Sequence, residues 1–569
     1  MNFDLFQESE QEKVQTHTIQ MFTKEEPEER ASRRIREVLM AGHPAVCAFS
    51  SGKDSSVLAG ITLNVARSIV EKGFECPPIV ILHGDTGVEQ PSVAKLAKAE
   101  IHKMIAYAKK HNFTLRAKIN HPKLSASWPV RVIGGRALPA FPDTRSDCST
   151  DFKLLPNQQG QKEVFAELEK LGKWKKPVVM TGVRNQESIA RDQRIKKRGE
   201  VAEGIWENEF GALRLSPILD FTVDDVWEVI GYANAGVYEM YSDFAGMMDI
   251  YKAAGGDSCV IVADMKSTGS SKPCGTRTGC WACTRVGEDR SMAQMIESDP
   301  ERYGNLKPLA DLRDFVSRTQ YNWDLRQWVG RSIDEDGFIA IGPDTYSPEM
   351  LEKLLRYTLT AQVKSGVQII DVAQLIAIDA RWSQYALHPP FTALRIYMEV
   401  MDGAYEDAPL VRRYPKTDVP KIGKMLVGAP SFNAAMEKQV SGLRNVGMEI
   451  FHESCGYELK TLKDGTIVAD LETDDEFSVD AQGAADFLEF IAEEKIADYC
   501  KQDCSDWTWG FKEYVSYGTI AVAKGRSTQT HEILQRSQWR QQNNLHGQRT
   551  RAELEARCDV LFASQLELV

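Results

Sequence analysis

The sequence lacks the features that identify several large classes of protein. None of its apolar runs reaches the roughly 20 residues that a membrane-spanning helix needs, and residues 1–15 do not show the charged-then-apolar pattern of a secretory signal. Internal repeats and low-complexity tracts are also missing. We therefore expect a cytoplasmic, globular protein with no membrane partner.

The chain also has no excess of positive charge. The chain has 69 Lys and Arg against 81 Asp and Glu, which gives a net charge of −12. A stand-alone protein that binds nucleic acid without sequence preference is normally basic, because neutralised phosphates supply most of its affinity. Any contact with DNA must then use partner proteins or local basic patches. Residues 524–557 are one such patch, or else a solvated helix face.

The 11 cysteines are too few for a disulfide framework in a chain of 569 residues. Four of them are concentrated between 259 and 283, in the pattern Cys259-x14-Cys274-x5-Cys280-x2-Cys283. The C-x2-C pair places two thiolates on one tight turn, and Gly- and Ser-rich loops bring the other two. Four thiolates suit either zinc or an iron–sulfur cluster, and the spacing does not separate these two.

The Walker phosphate-binding pattern is absent, but another candidate phosphate loop is present. A strand-like run at 45–49 ends in the residues SSGKDSS, and a helical pattern follows at once. This arrangement points backbone N–H groups and the positive end of a helix at an anion. We expect phosphate binding by five residues of the loop: Ser50, Ser51, Gly52, Lys53 and Ser55. Asp54 is assigned to Mg²⁺ or to orienting the loop; the alternative is a serine-rich turn with Asp54 as helix cap.

Strand-like and helical patterns alternate from 44 to about 245. Strands are predicted at 44–49, 78–82, 113–119 and 177–181, with helices at 55–72, 91–111 and 158–172. Such alternation predicts a doubly wound, mainly parallel α/β sheet. Ligands of these sheets bind beyond the carboxyl ends of the strands. The residues that follow the predicted strands should therefore share one site.

Four further residues carry candidate chemistry. Asp85 and Thr86, in HGDTG, are assigned to the nucleotide or its metal ion, with a turn-forming Asp as the alternative for Asp85. Arg184 and Arg191, in GVRNQESIAR, offer planar bidentate donors to released phosphates.

Cys148 lies in RSDCSTDFK, between Arg145 and Lys153. Neighbouring cations favour the thiolate that a nucleophile or sulfur carrier needs; a small buried hydrophobe is the alternative.

Composition and pattern divide the chain into four predicted parts. Residues 1–32 form an N-terminal arm, 33–245 a nucleotide domain, 246–300 a Cys-rich segment, and 301–569 a mostly helical region. A β-hairpin is predicted near 448–470, turning at Asp464-Gly465.

The loop SSGKDS resembles the pyrophosphate loop, S-G-G-x-D-S, of the ATP pyrophosphatase superfamily, with Ser51 where that family usually has Gly. Together with HGDTGVEQPSV, GVRNQESIAR and the Cys-rich stretch up to TRVGEDRSM, it resembles the branch related to phosphoadenosine-phosphosulfate reductase. Within that branch the pattern is similar to the DndC and SspD sulfurtransferases of bacterial DNA phosphorothioation. The resemblance covers about residues 33–315 and nothing beyond about 330.

The resemblance implies an adenine-nucleotide α-hydrolase fold, cleavage of ATP between its α and β phosphates, and a [4Fe–4S] cluster. The cluster ligands would be Cys259, Cys274, Cys280 and Cys283, and Cys148 would be the functional thiol. Lys53 and Asp54 join Cys148 as the residues assigned to catalysis. Expected partners are DNA, a cysteine desulfurase that supplies persulfide, and other proteins of the phosphorothioation system, which serves antiviral defence.

Three other functions compete with this one. A sulfonucleotide reductase would need a nucleophilic Cys near its C-terminus, or a paired Cys-Cys with C-x2-C. A tRNA thiolation enzyme would use the same activation chemistry on another nucleic acid. A zinc-stabilised scaffold would hold ATP only as a ligand.

Overall fold

The structure is a computed structural model of the 569-residue chain. The residues that it describes are 25–142, 144, 147–185, 195, 199–208, 211–255, 279–333, 338–420, 425–426, 456–461, 467–472, 476–501, 505–523, 526–542 and 544–556. Arg191, Cys259 and Cys274 lie outside the described residues, and so does the Asp464-Gly465 turn. Their predicted roles therefore stay predictions.

A six-stranded sheet organises the first half of the chain, in the order β3-β2-β1-β4-β6-β5. Every neighbouring pair in it is parallel except β5 and β6. The predicted α/β fold is confirmed, and its four predicted strands lie within a few residues of their predicted positions. The six strands are β1 Ala45–Phe49, β2 Ile79–Gly84, β3 Leu115–Asn120, β4 Val178–Met180, β5 Trp206–Glu207 and β6 Leu213–Leu215.

Helices cover both faces of this sheet. They are α1 Pro27–Met40, α2 Lys53–Glu71, α3 Pro91–Lys110, α4 Asp147–Ser149, α5 Leu155–Lys170, α6 Val223–Asn234 and α7 Ala245–Ala253, with π-helical turns at Pro129–Ile133 and Thr150–Leu154. Successive strand residues point to opposite faces. Cys47 and Phe49 of β1 join the larger core, with α2, α3 and α6. Val46 lies on the other face, in a small cluster with Val164 and Leu168 of α5.

The second half is mainly helical, as predicted. Its helices are α8 Arg290–Ser298, α9 Pro300–Tyr303, α10 Lys307–Arg318, α11 Pro348–Ser365, α12 Val372–Gln384, α13 Thr392–Met401, α14 Ala481–Asp486, α15 Ala492–Lys501, α16 Trp509–Ser516 and α17 Ser527–Gln542. A π-helical turn at Phe487–Ile491 joins α14 to α15. None of the described helices is both long and apolar enough to cross a bilayer.

The second half also contains strands. The predicted hairpin is present as β10 Gly456–Thr461 and β11 Ile467–Glu472, with Thr461 opposite Ile467. Two further sheets are not predicted: β7 Arg326–Ile333 with β8 Phe338–Tyr346 and β9 Met425–Leu426, and β12 Phe477–Val479 with β13 Ile520–Val522. Register shifts interrupt the pairing of β7 with β8, which breaks the alternation that would reveal this pair.

One hydrophobic core joins the two halves of the chain. It contains Trp128, Ile133 and Trp281 together with apolar residues of α10 to α16. The indole Nε1 of Trp382, in α12, donates to the carbonyl of Ile133 over 2.7 Å. The C-terminal helices are thus packed directly against the segment that follows β3. The predicted division into four parts remains a prediction.

Candidate functional site

The candidate site lies at the carboxyl ends of the central strands. The chain leaves β1 through α2 to reach β2 on one side, whereas β4 pairs with β1 on the other side. A crevice forms where the strand order reverses in this way, and it is the usual ligand position in such sheets. The loops after β1, β2 and β4 meet there. The strand ends are arranged as the pattern predicts, and the prediction that the residues after them share one ligand site stays a prediction.

The loop after β1 is held in shape by its own hydroxyl groups. Ser55 Oγ accepts from the Ser50 amide at 3.1 Å and donates to the Gly52 carbonyl at 3.0 Å. Ser51 is buried, and its Oγ donates to the Ser50 carbonyl at 2.7 Å. These two hydroxyls shape the loop, and the Ser50 side chain remains at its exposed surface.

The backbone of Ser51 adopts a conformation that glycine takes up more easily than other residues. Its φ is +55°, in the left-handed region that L-residues other than Asn and Asp adopt with strain. The sharp turn is therefore present here without the glycine.

The N-terminus of α2 has no capping side chain, because Gly52 occupies the cap position. Its first amides therefore keep free hydrogen-bonding capacity, which suits an anion. Lys53, at the first helical position, adds positive charge, and its Nζ lies 6.0 Å from the centre of the Tyr251 ring. This end of the helix thus presents uncapped amides and a cation, and phosphate binding by it stays a prediction.

Both carboxylate oxygens of Asp54 contact positively charged side chains of the protein. Its Oδ1 accepts from Arg184 Nε at 2.6 Å, and its Oδ2 lies 3.4 Å from Lys53 Nζ. Arg184 is only 2% exposed, and its Nη1 has no hydrogen-bond partner among the described residues. The geometry favours the loop-orienting alternative for Asp54. It also leaves a buried donor of Arg184 available to an anion.

Gly182 lets β4 approach α2 closely. A Cβ at this position would lie 3.0 Å from the backbone carbonyl of Asp54 and 3.1 Å from the Ser55 amide. Any side chain would therefore push the first turn of α2 away from the sheet. The strand pattern predicts that Gly182 lies at this mouth, but it does not reveal the close approach that makes a glycine necessary there.

Asp85 and Thr86 form a turn. Asp85 Oδ1 accepts from the Gly87 amide at 3.0 Å, and Thr86 Oγ1 accepts from the Val88 amide at 3.4 Å. Lys98 Nζ lies 3.5 Å from Asp85 Oδ2. The contacts of Asp85 within the protein are thus those of a turn-forming residue, which was the alternative to a role in binding the nucleotide or its metal ion.

The C-x2-C turn is attached to this same loop. Glu89 and Cys280 form an antiparallel β-bridge, and the Trp281 amide donates to the Val88 carbonyl at 2.9 Å. The Cys283 amide donates to the Cys280 carbonyl at 3.0 Å, which closes the turn. Two of the four predicted cluster ligands are therefore positioned beside the loop after β2, at the mouth of the sheet.

Glu89 is a buried carboxyl that sequence reasoning did not single out. Its Oε2 has no hydrogen-bond partner among the described residues. Burial raises the pKa of Glu89 to about 7, against the opposing charge of Lys153. The sequence signal that could have indicated Glu89 is its place in HGDTGVEQ, six residues after His83.

Cys148 joins the same neighbourhood. It is half-buried and packs against the core that also contacts Cys280. Burial raises the pKa of the Cys280 thiol to about 11, with smaller contributions from Cys283, Glu89 and Cys148 and an opposing one from Lys153. The three thiols are thus near enough to influence one another electrostatically.

The described cysteines fit half of a tetrathiolate site. Cys280 and Cys283 are both half-buried and free of disulfides, on one closed turn. Within the described part of the chain, no three His, Cys, Asp or Glu side chains are close enough to hold a metal ion. The other half of the predicted ligand set, Cys259 and Cys274, lies outside that part.

Arg313 of α10 anchors the end of the C-x2-C turn. It is 2% exposed, and its guanidinium donates to the carbonyls of Cys283 at 2.9 Å, Gly287 at 3.1 Å and Val286. No sequence signal marks this residue, because it lies 30 positions from its partner in a helix with no motif.

Comparison with known proteins supports a sulfur-handling enzyme. Residues 44–286 match the family model of the phosphoadenosine phosphosulfate reductase domain. This segment contains the phosphate loop, Cys148, Arg184 and the C-x2-C turn. The match indicates an enzyme of the ATP-utilising sulfur-transfer type. No curated protein sequence matched the chain.

Two solved structures share limited similarity with the chain. The FMN adenylyltransferase of Candida glabrata, with FMN and an ATP analogue, is 13% identical over 36% of this chain and 56% of its own, with a TM-score of 0.20. This chain therefore spans little more than half of that protein. The U34-tRNA thiolase NcsA of Methanococcus maripaludis, with its [4Fe-4S] cluster, is 12% identical over 51% of this chain and 76% of its own, with a TM-score of 0.22.

Proposed function

We propose that this chain is a cytoplasmic ATP pyrophosphatase and sulfurtransferase of DNA phosphorothioation, a bacterial defence modification. One observation carries the proposal: the uncapped start of α2, the buried Arg184 and the C-x2-C turn converge on one mouth of the sheet. Such a site holds the phosphates of ATP next to thiol chemistry. The Cys-rich stretch favours DNA as the substrate, through its resemblance to the DndC and SspD proteins.

The chain's own residues define the activation step. The amides at the start of α2 and Lys53 hold the β and γ phosphates, and Arg184, oriented by Asp54, supplies its free Nη1 as charge develops. Mg²⁺ enters with ATP. A non-bridging oxygen of a DNA phosphodiester attacks the α-phosphorus, and pyrophosphate leaves. The DNA phosphate is then adenylated, which turns a poor leaving group into a good one.

Sulfur transfer completes the reaction. A cysteine desulfurase delivers persulfide sulfur to Cys148, and the outer sulfur attacks the activated phosphorus. A phosphorus–sulfur bond forms as the bond to AMP breaks, and AMP carries the displaced oxygen away. Two electrons from an external dithiol then cleave the sulfur–sulfur bond and restore the Cys148 thiol.

We assign a [4Fe–4S] cluster to Cys280 and Cys283 with Cys259 and Cys274, and zinc is the alternative. When bound, the cluster supplies one-electron redox chemistry. The chain's contribution is the closed C-x2-C turn and the Arg313 anchor behind it. Broad absorption near about 400 nm in the purified protein identifies Cys-ligated iron–sulfur; a colourless protein that contains zinc contradicts this part.

The decisive test is genetic and chemical. Deleting the gene should abolish phosphorothioate dinucleotides in digested DNA, measured by mass spectrometry. Lys53→Ala should abolish both pyrophosphate release and DNA sulfur, whereas Lys72→Ala, on the exposed C-terminal end of the same helix, should leave both intact.

The alternatives give different results. Loss of tRNA thionucleosides instead of phosphorothioates identifies tRNA thiolation. Sulfite release from adenylyl sulfate identifies a sulfonucleotide reductase. Full DNA modification by the Lys53→Ala protein identifies a scaffold.

A further inference from the structure

An irregular segment of the C-terminal half lies against the loop that carries the C-x2-C turn. Residues 408–417, which we call the strap, form neither a helix nor a strand. Pro409 and Pro415 disfavour a helix there, because proline lacks an amide donor and biases the residue before it towards an extended backbone. Val411 packs against the core, whereas its neighbour Leu410 is 82% exposed. The strap thus has one side towards the protein and one towards solvent.

Hydrogen bonds hold the strap in place. The Val411 carbonyl accepts from Arg318 Nη1 at 3.2 Å, and the Tyr414 amide donates to the Arg318 carbonyl at 3.0 Å. Further along, Thr417 Oγ1 accepts from the indole Nε1 of Trp323 at 2.9 Å. Because the backbone is already fixed, a ligand that binds the outward side chains pays little for ordering it.

The strap is also connected to the C-x2-C turn. Arg413 Nη2 donates to the Gly287 carbonyl at 2.9 Å, and this same carbonyl accepts from Arg313 Nη1 at 3.1 Å. Arg313 in turn holds the carbonyl of Cys283, four residues before Gly287. The strap therefore lies beside the part of the candidate site that carries the thiols.

The strap is cationic and carries an exposed aromatic ring. It contains three Lys and Arg residues and no carboxylate, in a chain whose net charge is −12. Arg412 is exposed, and so is Arg285 of the adjoining loop. Among the described residues, neither of these two guanidinium groups has an ion-pair partner. The Tyr414 side chain is 40% exposed.

These side chains suit a nucleic acid better than an acidic protein. Guanidinium groups pair with the oxygens of phosphates, and an aromatic ring stacks on any base. A protein partner would instead need an apolar core to its interface. Leu410 is the one large aliphatic side chain of the strap that is exposed.

We propose that the strap and Arg285 bind a DNA strand and lead one of its phosphodiesters towards the sheet mouth. Arg412 and Arg285 pair with backbone phosphates, and Tyr414 stacks on a base. The strap is a different basic patch from residues 524–557. This inference rests on the proposed function, because it takes DNA as the substrate, but it uses none of the residues assigned to ATP.

The first test measures binding without ATP. A labelled single-stranded DNA of about 20 nucleotides, longer than one binding site, is titrated with the full-length protein and followed by fluorescence anisotropy. Replacing both Arg412 and Arg285 by Met should raise the dissociation constant about tenfold. The slope of its logarithm against the logarithm of salt concentration should fall by about 1.4, since each lost phosphate contact removes about 0.7.

The control removes the same charge elsewhere. Arg36→Met combined with Lys72→Met changes exposed positions on α1 and at the end of α2, and it should leave both the affinity and the salt slope unchanged. Equal weakening by the control pair overturns the proposal, as does the absence of DNA binding by the unaltered protein.

Tyr414 provides a readout that does not depend on charge. Tyr414→Ala should weaken DNA binding about tenfold through the loss of stacking. Tyr414→Phe keeps the ring and should bind as the unaltered protein does. Unchanged binding by Tyr414→Ala, or equal weakening by both variants, contradicts the stacking role.

Competition experiments identify the partner. Unlabelled DNA should displace the probe, whereas polyglutamate at the same charge concentration should not. Displacement by polyglutamate as strong as that by DNA indicates a surface for acidic proteins and overturns the proposal. A tRNA that competes better than DNA overturns both this inference and the proposed function.

The two hypotheses can also fail separately. If the variant that lacks Arg412 and Arg285 binds and modifies DNA normally while Lys53→Ala abolishes DNA sulfur, the strap is wrong and the proposed function stands. If Lys53→Ala leaves DNA sulfur intact, the proposed function is wrong, whatever the strap binds.

Discussion

At the scale of single residues, the phosphate loop shows how a strained backbone can be retained without glycine. Ser51 holds a left-handed conformation, and its buried hydroxyl bonds to the preceding carbonyl. The strain and the hydrogen bond act in opposite directions on stability. Two substitutions separate them.

We expect Ser51→Gly to be more stable than Ser51→Ala, because both lose the hydroxyl hydrogen bond and only glycine relieves the strain. The left-handed region costs an L-residue about 1–2 kcal/mol, and the greater flexibility of unfolded glycine offsets about 0.5–1 kcal/mol of that gain. The free energy of unfolding in urea should therefore be higher in Ser51→Gly than in Ser51→Ala by zero to about 1.5 kcal/mol, and Ser51→Gly should retain pyrophosphatase activity. Ser51→Ala keeps the strain and loses the hydrogen bond, so it should be less stable than the unaltered protein. The reverse order would show that the loop is built differently.

His388 makes stability depend on pH. Burial lowers the pKa of His388 from 6.5 to about 4, and its Nε2 lies 2.8 Å from the Pro348 carbonyl. Since the folded pKa is the lower one, the unfolded chain takes up the proton first. The stability that neutral His388 contributes is present above pH 6.5 and is lost as the pH falls towards 4. Between pH 7 and 5 the loss is about 2 kcal/mol.

The measurement is the urea unfolding free energy at pH 7 and pH 5. His388→Gln keeps a donor for Pro348 but cannot ionise, so its loss over this range should be smaller by about 2 kcal/mol. An equal loss in both proteins would contradict the assignment.

At the scale of elements, the site depends on how closely β4 approaches α2. Gly182→Ala places a methyl group 3.0 Å from the Asp54 carbonyl, so α2 must shift at its first turn. We expect ATP-dependent pyrophosphate release to fall roughly 10- to 100-fold, the usual effect of a small misplacement of binding groups. Gly304→Ala is the matched control, because a Cβ there meets nothing within 4 Å. Unchanged activity in Gly182→Ala would show that the first turn has room to adjust.

The Arg313 anchor acts between two elements. Arg313→Met removes three donors to the carbonyls of the 283–287 loop, with an expected loss of about 3 kcal/mol for breaking a buried charged network. Hydrogen exchange of the 283–287 amides should accelerate, and the purified protein should retain less metal. Arg302→Met, at a half-exposed ion pair, should change neither. If Arg302→Met accelerates hydrogen exchange as much as Arg313→Met does, the stabilisation of this loop is not specific to Arg313.

The sequence predicted the sheet well because its strands are short apolar runs separated by amphipathic helices. The positions of Lys53, Asp85 and Arg184 followed from that pattern, since each comes directly after a strand. The Glu89–Cys280 bridge did not follow, because it pairs residues 191 positions apart that share no motif. Arg313 was not predicted for the same reason, because its contacts are tertiary. The β7–β8 pair was not predicted because register shifts break its alternation.

At the scale of the whole molecule, the two halves depend on each other. Trp128, Ile133 and Trp281 are buried by C-terminal helices as well as by one another. We therefore expect a chain cut after residue 300 to expose this apolar surface and aggregate. Size-exclusion chromatography of residues 25–300 beside the full chain provides the measurement. A monodisperse, cooperatively unfolding fragment would contradict this expectation and would support the predicted boundary at 300.

The short β-bridge between Glu89 and Cys280 has a thermodynamic consequence. It makes the loop after β2 and the C-x2-C turn a single unit, so the geometry of one fixes that of the other. A metal that binds the C-x2-C turn in only one arrangement of this unit changes the affinity for a nucleotide at the loop after β2 by a fixed factor. Because linkage is reciprocal, the second ligand changes the affinity for the first by that same factor, and a nucleotide titration at two metal occupancies measures it from either side.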